Sequence, residues 1–199
     1  MTENISASKV KNLRDATGAG MMEAKAALVE AGGDGEKARE ILRKKGQLKA
    51  GKKAVRTTKQ GIIDSYIHGG GRVGVLLEVN SETDFVARNE EFRKLVHELA
   101  LHIAAANPLY VSKDDVPAGI LDKEKEIYAA AAKADGKPAP VVEKIVAGRI
   151  EKYYEETCLL EQPFVKDGDI TVQELINQKI AVIGENIQVR RFARYVLGE

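Results

Sequence analysis

The sequence predicts an α+β fold in which a small three-helix module precedes a core made of an antiparallel sheet covered by helices. Two observations favour this class. Alternating apolar residues occur near the start and the end of the core, whereas the segments between them carry apolar residues at helical spacing. Strands that come first and last, with helices between them, favour an antiparallel sheet over a parallel α/β arrangement. The 199 residues, 44% of them apolar, suffice for a packed core.

The first 48 residues are predicted to form three short helices. The first helix ends at the glycine pair Gly18 and Gly20. The second spans about residues 21–30, and one of its faces carries Met21, Ala24, Ala27 and Leu28. The third is expected over about residues 36–45, because Gly46 stands where a left-handed cap would end it. Residues 1–50 are therefore predicted to be a separate small module.

A basic segment follows this module. Residues 43–59 contain eight basic side chains and no acidic one, which leaves 23 basic residues against 30 acidic ones in the rest of the chain. Clusters of Lys and Arg can contact phosphates. The segment has no aromatic side chains that would stack on bases, so a solvated linker over residues 51–60 is the favoured interpretation, with contact to nucleic acid as the alternative.

The core is predicted to occupy residues 61–199. Two strand-like stretches flank the turn Gly69-Gly70-Gly71, which indicates a β-hairpin. Apolar residues at helical spacing then predict four helices, and a β-branched, aromatic stretch predicts a last strand. The expected strands are 62–68, 72–80 and 187–197, and the expected helices are about 89–106, 120–133, 140–155 and 171–183.

Three motifs resemble motifs of enzymes, but the residues around each of them do not support that function. Residues 69–74 fit the dinucleotide pattern G-x-G-x-x-G, but they lead into a strand and not into the helix that a phosphate needs. His68 and the glycines after it resemble an oxyanion-hole loop, yet the chain has no G-x-S-x-G nucleophile. His97-Glu98 with His102 misses the zinc motif H-E-x-x-H by one residue, which turns the second histidine about 140° away from the first.

Composition predicts a cytoplasmic protein without a cofactor or structural metal. The net charge is +1, which argues against a protein that wraps nucleic acid. No apolar run reaches the roughly 18 residues that a membrane helix needs. The chain starts without the basic and apolar regions of a signal peptide, and Glu3 stands there instead. The lone Cys158 excludes an intramolecular disulfide framework and, with apolar neighbours, is expected to be structural.

Residues 81–89, SETDFVARN, connect a strand to a helix and allow two interpretations. Thr83 or Asp84 could cap a turn while Phe85 packs into the core. Alternatively, a carboxylate beside a large ring on a connecting loop suits a partner, because the ring fills a pocket and the charge competes for a cationic site. The residue types alone leave the two interpretations about equal.

Two segments resemble the elongation factor Ts family. Val10-Lys11-x-Leu13-Arg14-x-x-Thr17-Gly18-Ala19-Gly20-Met21-Met22 is similar to the N-terminal module of that family, and residues 83–89, TDFVARN, to the segment it uses against its GTPase. Shorter stretches agree along essentially the whole chain. They are Gly61-Ile62-Ile63, Arg72-Val73-Gly74-Val75-Leu76, Gln162-Pro163-Phe164-Val165 and Ile183-Gly184-Glu185-Asn186-Ile187.

The resemblance implies a guanine nucleotide exchange factor for the GTPase elongation factor Tu, and not an enzyme. Residues 1–50 would form a ubiquitin-associated-like three-helix module that docks on the GTPase through Arg14, Met21 and Met22. In this interpretation one methionine serves the small core and the other is an adaptable apolar contact. No nucleic acid or membrane is required as a partner.

The family's exchange segment matches Thr83, Asp84, Phe85 and Val86, which would insert near the Mg²⁺ and the phosphates of the bound nucleotide. Phe85 would wedge between elements of the GTPase while Asp84 disturbs the contacts that hold the metal. The Mg²⁺ would belong to the partner. Longer members of the family carry a doubled core, whereas this chain has one hairpin and one C-terminal strand. The resemblance to short members therefore implies a symmetric homodimer that binds two Tu molecules.

Overall fold

The computed structural model describes residues 5–199. The prediction that Glu3 belongs to no signal peptide lies outside these residues. In chain order the elements are α1 (Ala7–Thr17), α2 (Met21–Glu30), α3 (Gly35–Lys53), β1 (Gln60–His68), β2 (Val73–Ser81), α4 (Asp84–Ala87), α5 (Glu90–Ala106), α6 (Ala118–Ala134), α7 (Ala139–Thr157), β3 (Pro163–Phe164), β4 (Asp167–Thr171), α8 (Val172–Ile183) and β5 (Ile187–Val196). The predicted α+β class, with three N-terminal helices before a small sheet covered by helices, is confirmed.

The N-terminal helices pack around a small apolar core. Ser6 caps α1 by accepting a hydrogen bond from the Lys9 N–H at 3.3 Å, and Gly18 ends it in the left-handed conformation, with φ of 68°. Helix α2 begins at Met21, as predicted. The buried core consists of Val10, Leu13, Ala24, Ala27, Leu28 and Ala38. Small alanines in this core let the three helices approach closely.

Helix α3 is longer than the sequence predicted. It continues through Gly46 to Lys53, so the expected end at Lys45 is wrong. Gly46 is a buried helical residue, and a Cβ placed on it would lie 3.7 Å from the Cβ of Ala181 on α8. Because this contact joins distant parts of the chain, packing against α8 stabilises the helix beyond a residue that locally favours a cap.

Within residues 5–199 the larger sheet has the strand order β1-β2-β5. The hairpin between β1 and β2 turns at Gly69, Gly70 and Gly71, whose φ values of 59°, 66° and 92° are ones that glycine adopts readily. On β2 the side chains of Val75, Leu77 and Val79 are buried. The predicted hairpin and the predicted last strand are both confirmed.

The remaining helices lie close to their predicted positions. Helix α5 buries Phe92, Leu95, Val96, Leu99 and Ile103, and α6 packs on α7 as a helical hairpin. A second, two-stranded sheet pairs β3 antiparallel with β4, an arrangement that the sequence analysis missed. Strand β3 has only two residues, too few for a period-two pattern to be seen.

The chain forms two compact units. The first comprises the chain up to Asp64 together with 77–98 and 174–190, and so contains the three N-terminal helices, α4 and α8. The second comprises 65–76, 99–173 and 191–199 and contains α6, α7 and the two-stranded sheet. Within residues 5–199 no helix combines the length and the apolar character that crossing a bilayer requires.

The cysteine and the candidate zinc histidines have structural surroundings. Cys158 is fully buried, and burial raises the pKa of its thiol, so a reactive thiolate is disfavoured. His102 is buried and lies 2.9 Å from the amide oxygen of Gln162, whereas His97 lies 3.7 Å from the Asp64 carboxylate. Across the described residues, no group of three or more His, Cys, Asp or Glu side chains is placed to hold a metal ion.

Candidate partner-binding loop and docking surface

Residues 81–89 form a capped turn between β2 and α5. The Thr83 hydroxyl caps α4 by accepting a hydrogen bond from the Val86 N–H at 3.4 Å. The Asn89 side chain then accepts hydrogen bonds from the N–H groups of Glu91 and Phe92, at 2.8 and 3.3 Å. Two caps in such a short stretch hold the segment between them as one helical turn with a defined conformation.

The structure distinguishes the two interpretations of Phe85. Its side chain is 79% exposed, whereas Ala87, two residues later, is 6% exposed. The small residue therefore anchors the turn and the ring points to solvent. Packing of Phe85 in this chain's own core is excluded, so the turn presents a ring that a binding partner can bury.

Asp84 lies beside the ring on the same turn. Its carboxylate forms a 2.8 Å ion pair with the guanidinium of Arg88, and both side chains are about half exposed or more. A surface pair at this spacing is weak, about 0.3–0.5 kcal/mol, so a stronger cation of a partner can displace Arg88. The loop therefore offers a carboxylate and an aromatic ring side by side.

Two residues that follow α8 hold the loop through hydrogen bonds. Both carboxylate oxygens of Glu185 accept hydrogen bonds from Thr83, one from its N–H at 3.0 Å and one from its hydroxyl at 2.7 Å. The N–H of Asn186 donates to the Glu82 carboxylate at 2.6 Å. In the sequence, Glu185 and Asn186 stand out only as part of a family resemblance. The paired residues lie far apart in the sequence, so no local sequence pattern predicts the pairing.

The predicted docking residues lie on α1 and α2 and reach solvent. Met21 is 49% exposed, Met22 is 73% exposed, and the Arg14 side chain is 51% exposed. The expectation that one methionine serves the small core is wrong, because the core cluster contains neither. At the first turn of α2 both side chains project beyond the buried face formed by Ala24, Ala27 and Leu28. The exposed methionines form an adaptable apolar surface next to a cation.

The basic segment, residues 43–59, is helical as far as Lys53, and most of its basic side chains are paired with acceptors. Arg43 contacts Glu174 at 3.1 Å, Lys45 contacts Glu30 at 2.6 Å, and Lys49 pairs with Glu23. Further pairs join Lys44 to Glu40, Arg56 to Glu82, and the Lys53 ammonium to the Gly184 carbonyl. A phosphate backbone would have to compete with these carboxylates for the same cations.

Known proteins resemble this chain over nearly its whole length. The family model described as Elongation factor TS matches residues 7–199. The chain belongs to the elongation factor Ts family. Elongation factor Ts of Moorella thermoacetica is 62% identical over 195 residues, which cover 98% of this chain and 96% of that protein. Elongation factor Ts of Caldanaerobacter subterraneus is 60% identical, with 98% of each chain covered.

A third relative, elongation factor Ts of Acetivibrio thermocellus, is 60% identical over 98% of this chain and 91% of its own length. The three alignments cover nearly the whole of both chains, so the relatives have a similar size. Membership in the elongation factor Ts family assigns the chain to translation elongation in protein biosynthesis, with a nucleotide-exchange role.

Proposed function

We propose that the chain is the guanine nucleotide exchange factor of elongation factor Tu in the cytoplasm. It binds Tu·GDP, displaces the Mg²⁺ and promotes release of GDP so that GTP can bind again. The observation that supports this most is the 79% exposure of Phe85 on a turn that is capped at both ends. A ring held in solvent by a loop of defined conformation is available for a partner to bury.

The loop acts on the GTPase through two side chains. Burial of the Phe85 ring in the partner contributes about 1.5–3 kcal/mol, enough to hold GTPase elements in a displaced position. Asp84 introduces a negative charge near the metal and its ligands. Mg²⁺ bridges the phosphates to the switch residues of a GTPase, so its displacement weakens GDP binding. No covalent step is required of this chain, and the Mg²⁺ belongs to the partner.

Linkage makes the exchange cycle reciprocal. The factor must bind nucleotide-free Tu more tightly than it binds Tu·GDP, by the same ratio by which it weakens GDP. Returning GTP then expels the factor. The chain therefore has to combine a contact that is kept throughout the cycle with a contact that competes with the nucleotide's metal.

Residues 1–50 supply the constant contact in this proposal. Arg14, Met21 and Met22 dock on the GTPase, the residues from 51 to 60 connect this module to the core, and residues 61–199 carry the exchange loop and the dimer interface. The exposure of all three docking side chains supports the assignment. Methionines adapt to a partner surface with little strain, and a guanidinium can pair with a carboxylate there.

The working particle in this proposal is a symmetric homodimer that binds two Tu molecules. One sheet face supports it. Arg194 donates to the Ala104 carbonyl on α5 at 3.3 Å, so Tyr195, its neighbour on β5, lies on the opposite face. Leu76 alternates with the buried Val75 and Leu77 and is 52% exposed, and Tyr195 is 73% exposed. An apolar sheet face of this kind suits a second copy of the chain.

The test is release of labelled GDP from Tu in the presence of the wild-type chain, Asp84→Ala or Phe85→Ala. Phe85→Ala is expected to slow the stimulated release by at least about tenfold, because the lost ring burial is about 1.5–3 kcal/mol. Asp84→Ala is expected to slow it as well, because the negative charge near the metal is lost. Leu109→Ala, which removes another exposed apolar side chain, is the matched control and keeps the wild-type rate. If both loop variants release GDP at the wild-type rate, the proposed role of the loop is wrong.

A further inference from the structure

The segment that joins α8 to β5 contacts the exchange loop through a concentrated set of hydrogen bonds. Glu185 accepts from the Thr83 N–H at 3.0 Å and from the Thr83 hydroxyl at 2.7 Å. The Asn186 N–H donates to Glu82, the residue before Thr83, at 2.6 Å. Two successive residues of one segment thus hold two successive residues of the loop. Hydrogen bonds to a carboxylate are about twice as strong as those between neutral groups.

The Thr83 hydroxyl transmits this contact into α4. A hydroxyl has one proton and two lone pairs. The proton of Thr83 is donated to Glu185, which leaves a lone pair directed at the Val86 N–H, 3.4 Å away. Glu185 therefore fixes the rotation of the capping hydroxyl, and the cap fixes the turn that carries Asp84 and Phe85.

Asn186 extends the connection to the end of α3. Its side chain is 2% exposed, and its amide nitrogen donates to the carbonyls of Arg56 and Ala54 at 2.8 and 3.3 Å. The Lys53 ammonium donates to the carbonyl of Gly184. The last turn of α3 is thereby tied to the segment that holds the exchange loop, within one compact unit that also contains the docking residues.

We propose that Glu185 and Asn186 are positioning residues that hold the exchange loop in its active conformation against the end of α3. The inference rests on the proposed exchange function and deepens it. A loop that is already ordered loses little conformational entropy on binding, so more of its contact energy acts on the nucleotide site. Neither residue needs to touch Tu. Their effect passes through Thr83 and Glu82.

Substitutions of Glu185 separate geometry from charge. Glu185→Ala leaves the Thr83 N–H without its acceptor and the hydroxyl free to rotate. Glu185→Gln keeps both contacts, because its oxygen accepts from the N–H while its NH₂ donates to the hydroxyl oxygen. At saturating factor we expect release of GDP from Tu to be about tenfold slower with Glu185→Ala, equivalent to about 1.4 kcal/mol, and within about threefold of wild type with Glu185→Gln.

The concentration of factor that gives half the maximal rate distinguishes positioning from docking. Glu185→Ala leaves it within about twofold of wild type, because Arg14, Met21 and Met22 are unchanged. Glu91→Gln is the matched control, because it breaks a 2.6 Å ion pair with Lys179 in the same unit. It is expected to exchange at the wild-type rate. A rate for Glu185→Gln as low as that for Glu185→Ala would overturn the proposal, since the charge itself would then be required.

A double-mutant cycle tests whether Glu185 acts through Thr83. Thr83→Val removes the hydroxyl and keeps the shape of the side chain. If Glu185 works through this hydroxyl, the double variant exchanges about as slowly as the slower single variant, and the two effects do not add. Fully additive effects would overturn the inference.

Amide hydrogen exchange on the free full-length chain tests, without Tu, whether Glu185 orders the exchange loop. The amides of Thr83 and Val86 are expected to exchange at least about tenfold faster in Glu185→Ala than in wild type, while those of α5 stay protected. Unchanged exchange at both amides would contradict the proposal even if the variant were slow with Tu. Conversely, if the wild-type chain does not release GDP from Tu but the amides exchange faster in Glu185→Ala, the proposed exchange function is wrong. The positioning of the loop by Glu185 is then still supported.

Discussion

Phe85 and Ala87 lie two residues apart on one helical turn, and the structure exposes the ring while it buries the methyl group. The exposed fractions are 79% for Phe85 and 6% for Ala87. Hydrophobic burial normally favours the larger side chain, because the stabilisation grows with the apolar area removed from water. The reversed order means that the turn is anchored by its smallest apolar residue and that its largest one stays in solvent.

Phe85→Ala is expected to leave the stability of the free chain unchanged. An exposed ring contributes little to folding, so the free energy of unfolding should change by less than about 0.5 kcal/mol. Urea unfolding followed by circular dichroism measures it. Ala87→Leu is the matched substitution on the buried side of the turn, and overpacking there should cost about 1–3 kcal/mol. A large loss of stability for Phe85→Ala would mean that the ring serves this chain's own core.

Gly46→Ala is expected to stabilise the chain. The new methyl group would lie 3.7 Å from the Ala181 Cβ, an ordinary contact, and alanine favours a helix interior by about 0.8–1.0 kcal/mol over glycine. Gly51→Ala, at an exposed position of the same helix, supplies the propensity gain without a new contact. If the unfolding midpoint falls for Gly46→Ala but not for Gly51→Ala, α3 and α8 pack too tightly to accept the new methyl group.

Gly61→Ala is expected to be strongly destabilising. Gly61 has φ of 145°, and a Cβ there would overlap the Val79 carbonyl and lie 2.7 Å from the Cα of Asn80. Both are backbone atoms of the neighbouring strand, which cannot move away cheaply, so the loss should exceed about 3 kcal/mol. Gly70→Ala, whose φ is also positive but whose surroundings are open, should cost only about 1 kcal/mol. Similar unfolding midpoints for the two variants would contradict this.

The free energy of unfolding should decrease as the pH is lowered, because His102 takes up a proton. Its Nδ1 accepts from the Val165 N–H at 3.2 Å, so Nε2 carries the proton and faces the Gln162 oxygen. Burial lowers the pKa of His102 below its ordinary 6.5, and the unfolded chain therefore binds the proton first. The stabilisation is present above about pH 6.5 and is lost below it, at up to about 1.4 kcal/mol per pH unit.

Urea unfolding between about pH 7.5 and 5.5 measures this dependence. His102→Gln should lose the contribution of this residue, although it is less stable at neutral pH. His97→Gln, at a partly exposed position of the same helix, should retain it. A folded His102 whose ring signals in an NMR titration shift near pH 6.5 would contradict the account.

Leu76→Lys is expected to break the proposed homodimer into monomers. A charge in the centre of an apolar sheet interface is left without water or a partner, which costs several kcal/mol. Light scattering at micromolar concentration should give about twice the 21.7 kDa chain mass for wild type and the single mass for Leu76→Lys. Leu109→Lys, which lies outside the sheet, is the control. A monomeric wild type would refute the dimer and leave the exchange function untouched.

Local sequence patterns predicted most elements because their causes are local. The glycine turn at 69–71, the alternation around Leu76 and the helical spacing from Phe92 to Ile103 each fix one element by themselves. The end of α3 could not be predicted in this way. Gly46 favours a cap locally, but its contact with Ala181 keeps the helix going, and that contact depends on the tertiary fold.

The sequence indicated which loop residues are candidates for the site, but not the contacts that hold the loop. Family resemblance pointed to residues 83–86, whereas the residue types alone left Phe85 undecided between the core and a partner. In the folded chain the ring is exposed, on a turn that Thr83 caps and that Glu185 contacts from a distant part of the sequence. Met21 shows the converse: its helical spacing suggested burial, but at the first turn of α2 it lies beyond the packed face.

The most direct measurement is the rate at which labelled GDP leaves Tu·GDP·Mg²⁺ as the concentration of the wild-type chain is raised. Release is expected to accelerate and saturate with the wild-type chain, and to saturate at a rate at least about tenfold lower with Phe85→Ala, which remains folded. If the release rate does not respond to the wild-type chain at any concentration, the chain is not an exchange factor for Tu.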